Sequence, residues 1–353
     1  MRHPCAARFV SESTSRRCSR NGPASTAGSS RRSAAGTTCR AAALSALLLL
    51  SASLSGHTLD TGVTLSVPRD TLQGSPFNVS LEITGENPES VDFYLVDSEG
   101  QEQISIPAAA FRSHEGDIVW ANVLGTSSTA TPGEWMVRAR AHFDRYSIEV
   151  KEPVSIDEGD FFSMTITLGR ELTALLTEPD PRRQEEREEL NRLLASSDRE
   201  AVFNPGVFVM PVVDPNRTSA GFGDRRIYEY HGGRTSRSVH HGIDYAAPTG
   251  TETLAAGHGV VRLAADRLVS GKSVVIEHLP GVFSLYYHLD SIAVDEGDFV
   301  MAGDRIGEIG ATGLATGAHL HWEVRIGGVA VDPEWFLSSP AVDTHEHLTK
   351  LGP

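Results

Sequence analysis

Gly317-Ala318-His319-Leu320-His321-Trp322-Glu323 lies near the end of the chain and opens a β-type run over His319 to Ile326. In a strand, residues two or four apart share a face, so His319, His321 and Glu323 point the same way. Similar short runs precede it at Gly259 to Leu263, Ser273 to His278, Phe283 to His288 and Arg305 to Ile309. Glycines are dense between them and no long helical period intervenes. Residues 203–337 therefore read as an antiparallel β domain.

Upstream, residues 59–153 alternate with period two. Val63, Leu65 and Val67, then Phe77, Val79, Leu81 and Ile83, then Val91, Phe93 and Leu95, and later Trp135, Val137, Ala139 and Ala141 each put apolar side chains on one strand face. Gly74-Ser75-Pro76, Glu86-Asn87-Pro88 and Thr131-Pro132-Gly133 break the runs at sandwich-like intervals. The segment reads as an immunoglobulin-like β-sandwich. It holds no His, Asp or Glu cluster with catalytic spacing, so spacing, docking or binding is its expected work, with a cell-wall or divisome protein as a candidate partner.

Residues 154–202 read as a charged helical connector. Ser163 to Leu168 could add a strand. Asp180-Pro181 looks like an N-cap with proline at the first helical position, and Arg182 to Leu194 carries Leu190, Leu193 and Leu194 on one side. A solvated surface helix is the preferred reading; an inhibitory or regulatory arm over the following domain is the sharper one. Residues 338–353, with His345 and His347, show no pattern and read as a loose tail. The fold class is mainly β throughout.

The charge is divided unevenly. The 353 residues carry 31 Lys+Arg against 46 Asp+Glu, a formal charge of −15, with 40% hydrophobic content. That suits a soluble protein of about two domains and excludes a nucleic-acid binder, which needs clustered cations to displace counterions. Residues 1–55 hold eight Arg, all three cysteines and one acid, Glu12, leaving 23 basic against 45 acidic residues, net −22. Within that leader Arg40 precedes Ala41 to Leu50, apolar apart from Ser45, and then small residues through Gly56. A basic region, a short apolar core and small residues make a secretory signal peptide. The run falls short of the roughly 20 apolar residues of a membrane span. The expected location is outside the cytoplasm, in the periplasm, cell envelope or medium, with no stable membrane span after signal cleavage. Cleavage leaves no cysteine, so any metal site must use histidine and carboxylate.

Two more stretches carry chemistry: Val239-His240-His241-Gly242-Ile243-Asp244 and Leu285-Tyr286-Tyr287-His288-Leu289. On a strand His240 can face the same way as Asp244, and His319 the same way as His321, so the pairs can converge. Two imidazoles and a carboxylate suit one Zn²⁺ with an open fourth position, the pattern of a catalytic site. A base for the attacking water and a donor for the oxyanion are then needed. The H-E-x-x-H motif is absent, and His345-Glu346-His347 has the wrong spacing, so histidine must do that work. With two of the four clustered histidines as ligands, the other two are the candidates. Taken singly, each piece is more often a strand surface feature; together they are far more specific.

The whole run resembles the lysostaphin/LytM-type zinc metallopeptidases, which cut peptide cross-links in bacterial peptidoglycan. The resemblance covers about residues 205–337. It rests on Thr218 to Arg225, on His240-His241-Gly242-Ile243-Asp244-Tyr245-Ala246-Ala247-Pro248-Thr249-Gly250, and on Leu285 to Leu289. Gly310-Ala311-Thr312-Gly313, Thr316 to Glu323 and Val331-Asp332-Pro333 complete it. The resemblance implies a barrel-like β groove, His240, Asp244 and His321 as zinc ligands, and His288 and His319 as the catalytic pair. It further implies peptidoglycan peptide stems or cross-bridges as substrate. None of the five positions is substituted. The alternative is a noncatalytic, peptidoglycan-binding regulator of other wall hydrolases, which the family also contains.

Glu323 could support a ligand or be a cross-strand charge. Tyr286 reads as core ahead of groove lining. Arg225 could hold a substrate carboxylate or belong to a surface charge cluster with Asp224 and Arg226. His231, His258 and His278 read as surface or turn residues.

Overall fold

The structure, a computed structural model, describes residues 62–342 apart from 114, 115, 214 and 216, together with the backbone of 349–350. The leader and apolar run of residues 1–55 lie outside the described residues. All described residues belong to one compact unit.

Period-two alternation produces the expected sandwich. Its strands are β1 (Val63–Ser66), β2 (Asp70–Leu72), β3 (Pro76–Ile83), β4 (Ser90–Val96), β5 (Glu102–Pro107), β6 (Ala109–Arg112), β7 (Ile118–Gly125), β8 (Gly133–His142) and β9 (Ser147–Asp157). One sheet runs β1-β3-β7-β6, and Thr349–Lys350 pairs onto the edge of β6; the other runs β2-β9-β8-β4-β5. Leu81, Val91, Phe93, Leu95 and Val137 are fully buried between them. The second sheet reaches beyond the expected boundary at 153, because Val154 and Ile156 continue the inward alternation.

The connector holds β10 (Ser163–Thr167), α1 (Arg170–Thr177) and α2 (Pro181–Ala195). The Asp180 carboxylate accepts from the Arg182 amide at 2.9 Å, the expected cap. α1 has no counterpart in the sequence reading. Leu194 at the end of α2 is buried among Leu263, Val275, Phe283, Leu285 and Tyr287, with Leu190 and Leu193 packed beside it. α2 is therefore not merely a solvated helix: Leu194 docks on the following domain, a burial worth roughly 1.5–3 kcal/mol, with Leu190 and Leu193 half-buried beside it.

That domain comprises β11 (Arg217–Ala220), β12 (Arg225–Glu229), β13 (Thr235–Val239), β14 (Ile243–Ala246), β15 (Glu252–Leu254), β16 (Gly259–Arg267), β17 (Gly271–Leu279), β18 (Val282–Ile292), β19 (Phe299–Val300), β20 (Arg305–Ile309), β21 (His319–Ile326) and β22 (Val329–Val331). The main sheet runs β11-β14-β21-β18-β17-β16-β19, with β15, β20 and β22 branching from it. A small separate sheet sets β10 parallel to β12, and β12 antiparallel to β13. β17 and the first eight residues of β18 are buried almost without interruption, because both faces are covered. Cross-strand register aligns Val275 with Leu285, Leu285 with Glu323, Tyr287 with His321 and His321 with Asp244. The face that α2 covers is thus the face that carries His321 and Asp244.

The opposite face of the main sheet shares one hydrophobic core with the sandwich, in which Leu81, Phe93 and Ile106 join Val282, Trp322 and Ile326. Asn122 Nδ2 of the sandwich donates to the Pro107 and Pro280 carbonyls at 2.7 and 3.1 Å. The expected loose tail from Ser338 does not hold over its first residues. Ala341 and Val342 are buried, and Asn78 Nδ2 donates to the Pro340 and Ala341 carbonyls. Small apolar side chains there complete the core between the two halves.

Candidate active site

The turn from His240 into β14 runs tightly against β21. At Gly242 a Cβ would lie 2.3 Å from the Trp322 carbonyl oxygen, so only glycine fits that close approach. Asp244 then pairs directly across from His321. His240 Nε2, Asp244 Oδ1 and His321 Nδ1 form a triangle with sides of 3.0, 2.9 and 2.8 Å, all three residues buried. Ligands of a tetrahedral ion with bonds of about 2.0–2.1 Å stand about 3.3 Å apart, so a divalent ion fits with small outward shifts. Of the doubled histidine, His240 joins this triangle and His241 turns away, its Nδ1 accepting from Arg325 Nη2 at 3.1 Å.

Each of the three is held from behind. His240 Nδ1–H donates to the Gly221 carbonyl at 2.6 Å, leaving Nε2 free to bind. His321 Nε2–H donates to Glu323 Oε1 at 2.8 Å, and Arg325 Nε donates to Glu323 Oε2 at 2.6 Å. Arg226 Nη2 donates to Asp244 Oδ2 at 2.6 Å, leaving Oδ1 toward the imidazoles. Such outer contacts set the tautomer and the orientation of a ligand. Glu323 is therefore a partner of His321 rather than an unrelated cross-strand charge. Sequence reasoning undervalued Arg226, because only the folding of β12 against β13 aims one of two adjacent arginines at Asp244.

Electrostatics match a site that exchanges a proton for a cation. Burial opposes charge on His321, but hydrogen bonds to Asp244 and Glu323 outweigh it and raise its pKa to about 9. His240 is lowered by burial despite its bond to Asp244. Burial alone would raise Asp244, yet the two imidazoles beside it hold its carboxyl well below the usual range. A proton on His321 would therefore have to leave for a cation to bind between these three side chains.

His288 and His319 flank this triangle, their rings 4.8 Å apart. His319 Nδ1–H donates to the Gly317 carbonyl at 2.8 Å, and its Nε2 lies 3.6 Å from Asp244 Oδ1. His288 Nδ1–H donates to the Thr312 carbonyl at 2.8 Å. Both Nε2 atoms are thereby left as acceptors. Burial, followed by the charges of His319 and His321, pushes His288 down to about 3, so it is neutral at physiological pH. His288 is also the sole non-glycine residue with positive φ, 62°, among the described residues. Backbone strain of this kind collects at functional sites. Tyr287 stacks on His321 at 5.5 Å and walls the site toward α2.

Other candidates lie elsewhere. The Tyr286 hydroxyl accepts from the Ala256 amide and Ser284 Oγ inside the core, away from the groove. His278 is not at the surface: it is fully buried, bonded to the His258 carbonyl and Ser284 Oγ, because a polar side chain inside β17 must find internal partners. Arg225 is no simple surface charge. It donates to the Ser128 carbonyl at 2.7 Å and stacks on Phe161 at 4.5 Å, tying β12 to the sandwich.

Residues 238–333 match the family model Peptidase family M23, and the matched span contains all five residues of the groove. This segment is an M23 peptidase domain. The chain is 38% identical over 136 residues to the DD-carboxypeptidase/endopeptidase Mpg of Neisseria meningitidis, covering 38% of this chain and 30% of that protein. It is 36% identical over 126 residues to the peptidoglycan DD-endopeptidase ShyC of Vibrio cholerae, covering 36% and 28%. The alignments thus span under a third of those curated relatives. A crystal structure of a Pseudomonas aeruginosa protein assigned to peptidase M23 matches more widely. It aligns with a TM-score of 0.51 and 26% identity over 75% of this chain and 95% of that one. The M23 domain and the preceding β region therefore share an arrangement with a solved member.

Proposed function

We propose that the protein is an exported zinc-dependent endopeptidase that hydrolyses peptide cross-links of peptidoglycan, of the DD type named for its relatives. The observation that carries this reading is the His240–Asp244–His321 triangle with two further imidazoles beside it. One Zn²⁺ held there would polarise the scissile carbonyl and bring the pKa of a water toward neutrality. The basic leader and apolar run ahead of residue 56 support delivery to the cell envelope.

The protein's own groups supply the rest. His288 and His319 keep Nδ1–H on backbone carbonyls, so each presents an Nε2 lone pair to the groove. One accepts the proton of the attacking water; as imidazolium it can return that proton to the leaving amine. The other, when protonated at Nε2, donates to the oxygen that becomes negative at the scissile carbon. Fixed carbonyl partners hold both rings in place, so little reorganisation accompanies the step.

The test is digestion of purified peptidoglycan with mass spectrometry of the fragments, alongside metal analysis. Wild-type protein is expected to hold about one zinc and release new amines. His288→Ala should keep the metal and lose activity; His240→Ala should lose both. Zinc-loaded protein that cuts no peptidoglycan would overturn the enzymatic reading in favour of a binding regulator.

A further inference from the structure

The hairpin formed by β12 and β13 has two chemically different faces. Register places Arg225 opposite Val239 and Ile227 opposite Arg237, so Arg225 and Arg237 share one face while Arg226 takes the other and reaches Asp244. The face with Arg225 and Arg237 looks toward the sandwich. Between them lies a cleft of about 720 Å³, bordered by Gln73 and Thr129 of the sandwich, Ser163 of β10 and the arginines of the hairpin.

Arg225 and Arg237 line this cleft from one face of the hairpin, Arg226 at its border is already paired with Asp244 on the other, and among the described residues no carboxylate lines it. Arg225 is bonded only to neutral oxygens, those of Ser128 and Gly223, and among the described residues neither it nor Arg237 has an acid within ion-pair distance. Among the described residues the buried Nε of Arg226 has no hydrogen-bond partner, although its Nη2 is paired with Asp244. Uncompensated guanidinium groups in a cleft are unexpected in a chain carrying 23 basic and 45 acidic residues after position 55. Planar forks of this kind match carboxylates, and a cleft concentrates the field.

The geometry points to an exosite in this cleft that binds the carboxylates of a peptidoglycan stem peptide while the groove on the other face of the hairpin acts on a cross-link. The assignment of the ligand rests on the proposed substrate; the cationic cleft does not. Arg237, exposed on β13, is the residue free to meet the ligand, and Arg225 is held beside it by Ser128 and Phe161. One strand, β12, joins the two sites, since Arg225 borders the cleft and Arg226 holds Asp244.

Equilibrium binding of a soluble disaccharide-tetrapeptide tests this on the full mature chain, because that ligand contains no cross-link to cut. The probes are this compound, its carboxyl-amidated form and inorganic phosphate as competitor. Arg237→Glu is expected to weaken binding of the free-carboxylate compound about tenfold or more, the scale of one charge-assisted hydrogen bond. Amidation should weaken wild-type binding similarly and have little further effect in Arg237→Glu, whose melting temperature should match wild type. Equal binding of both compounds to wild type and variant would refute the exosite. Displacement by millimolar phosphate in an Arg237-dependent manner would refute the carboxylate assignment. Failure of cleavage with binding intact would instead count against the proposed enzymatic function alone.

Discussion

Replacing Glu323 by Gln should weaken metal binding without unfolding the protein. Glu323 is 4% exposed; one oxygen accepts from His321 Nε2 at 2.8 Å and the other from Arg325 Nε at 2.6 Å. Glutamine keeps the volume but offers one acceptor where two donors converge. Its amide nitrogen must face either Arg325 or the imidazole N–H. In the first case the charge beside His321 is lost; in the second the ring loses the contact that directs Nδ1 at Asp244. Removing such a support costs about 10–100-fold in metal affinity, or about 1.4–2.7 kcal/mol. Competition of the protein against a zinc chelator measures this directly, with circular dichroism to verify the fold. Glu277→Gln is the control: Glu277 is also buried and paired, with Arg262 at 2.7 Å, but stands outside the site. Zinc affinity of Glu323→Gln within twofold of wild type would refute the reasoning. Equal weakening in Glu277→Gln would trace the loss to general destabilisation.

Gly242→Ala places a methyl 2.3 Å from the Trp322 carbonyl oxygen, so the His240–Asp244 turn must lift from β21; zinc affinity measured by the same competition should fall more than tenfold. Leu194→Ala should destabilise the protein by about 2–5 kcal/mol in urea unfolding, because it empties a buried position between α2 and the sheet. His278 is pushed down to about 4 by burial, against 6.5 unfolded. The unfolded chain therefore binds more protons between those values, and stability falls as pH drops from 6.5 to 4, by about 3 kcal/mol in full. His278→Gln should flatten that part of the stability profile, and an unchanged slope in urea titrations would reject the assignment.

Much of the site was legible because its chemistry depends on residue type at short spacing. His240 with Asp244 and His319 with His321 each sit within five residues; strand periodicity puts the second pair on one face, whereas the first converges through the turn that leads from His240 into β14. The helix of α2 was legible from its Asp180-Pro181 cap, and the sandwich from strict alternation. β12 and β13 were not, since Arg225-Arg226-Ile227-Tyr228-Glu229 and Thr235-Ser236-Arg237-Ser238-Val239 have no apolar stripe. β12 is only half-buried and β13 mostly exposed, and β12's parallel partner β10 stands more than 50 residues away. The buried position of His278 was hidden for a related reason. β17 is covered on both faces, which erases the period that would mark one of them.

By itself, then, the sequence determined a mainly β chain, the division between a basic cysteine-bearing N-terminal segment and an acidic remainder, and short-spaced groups of histidines, with Asp244, whose chemistry suits a metal centre. Those are properties of composition and of contacts a few residues long. Tertiary structure decided that His240 rather than His241 joins the triangle, that Glu323 and Arg226 hold it from behind, and that the sandwich is packed against the M23 domain through one core. It also placed α2 over the site-bearing face and left an arginine-lined cleft behind the hairpin. These depend on register and on packing between segments tens to hundreds of residues apart, where no local pattern records which face meets which.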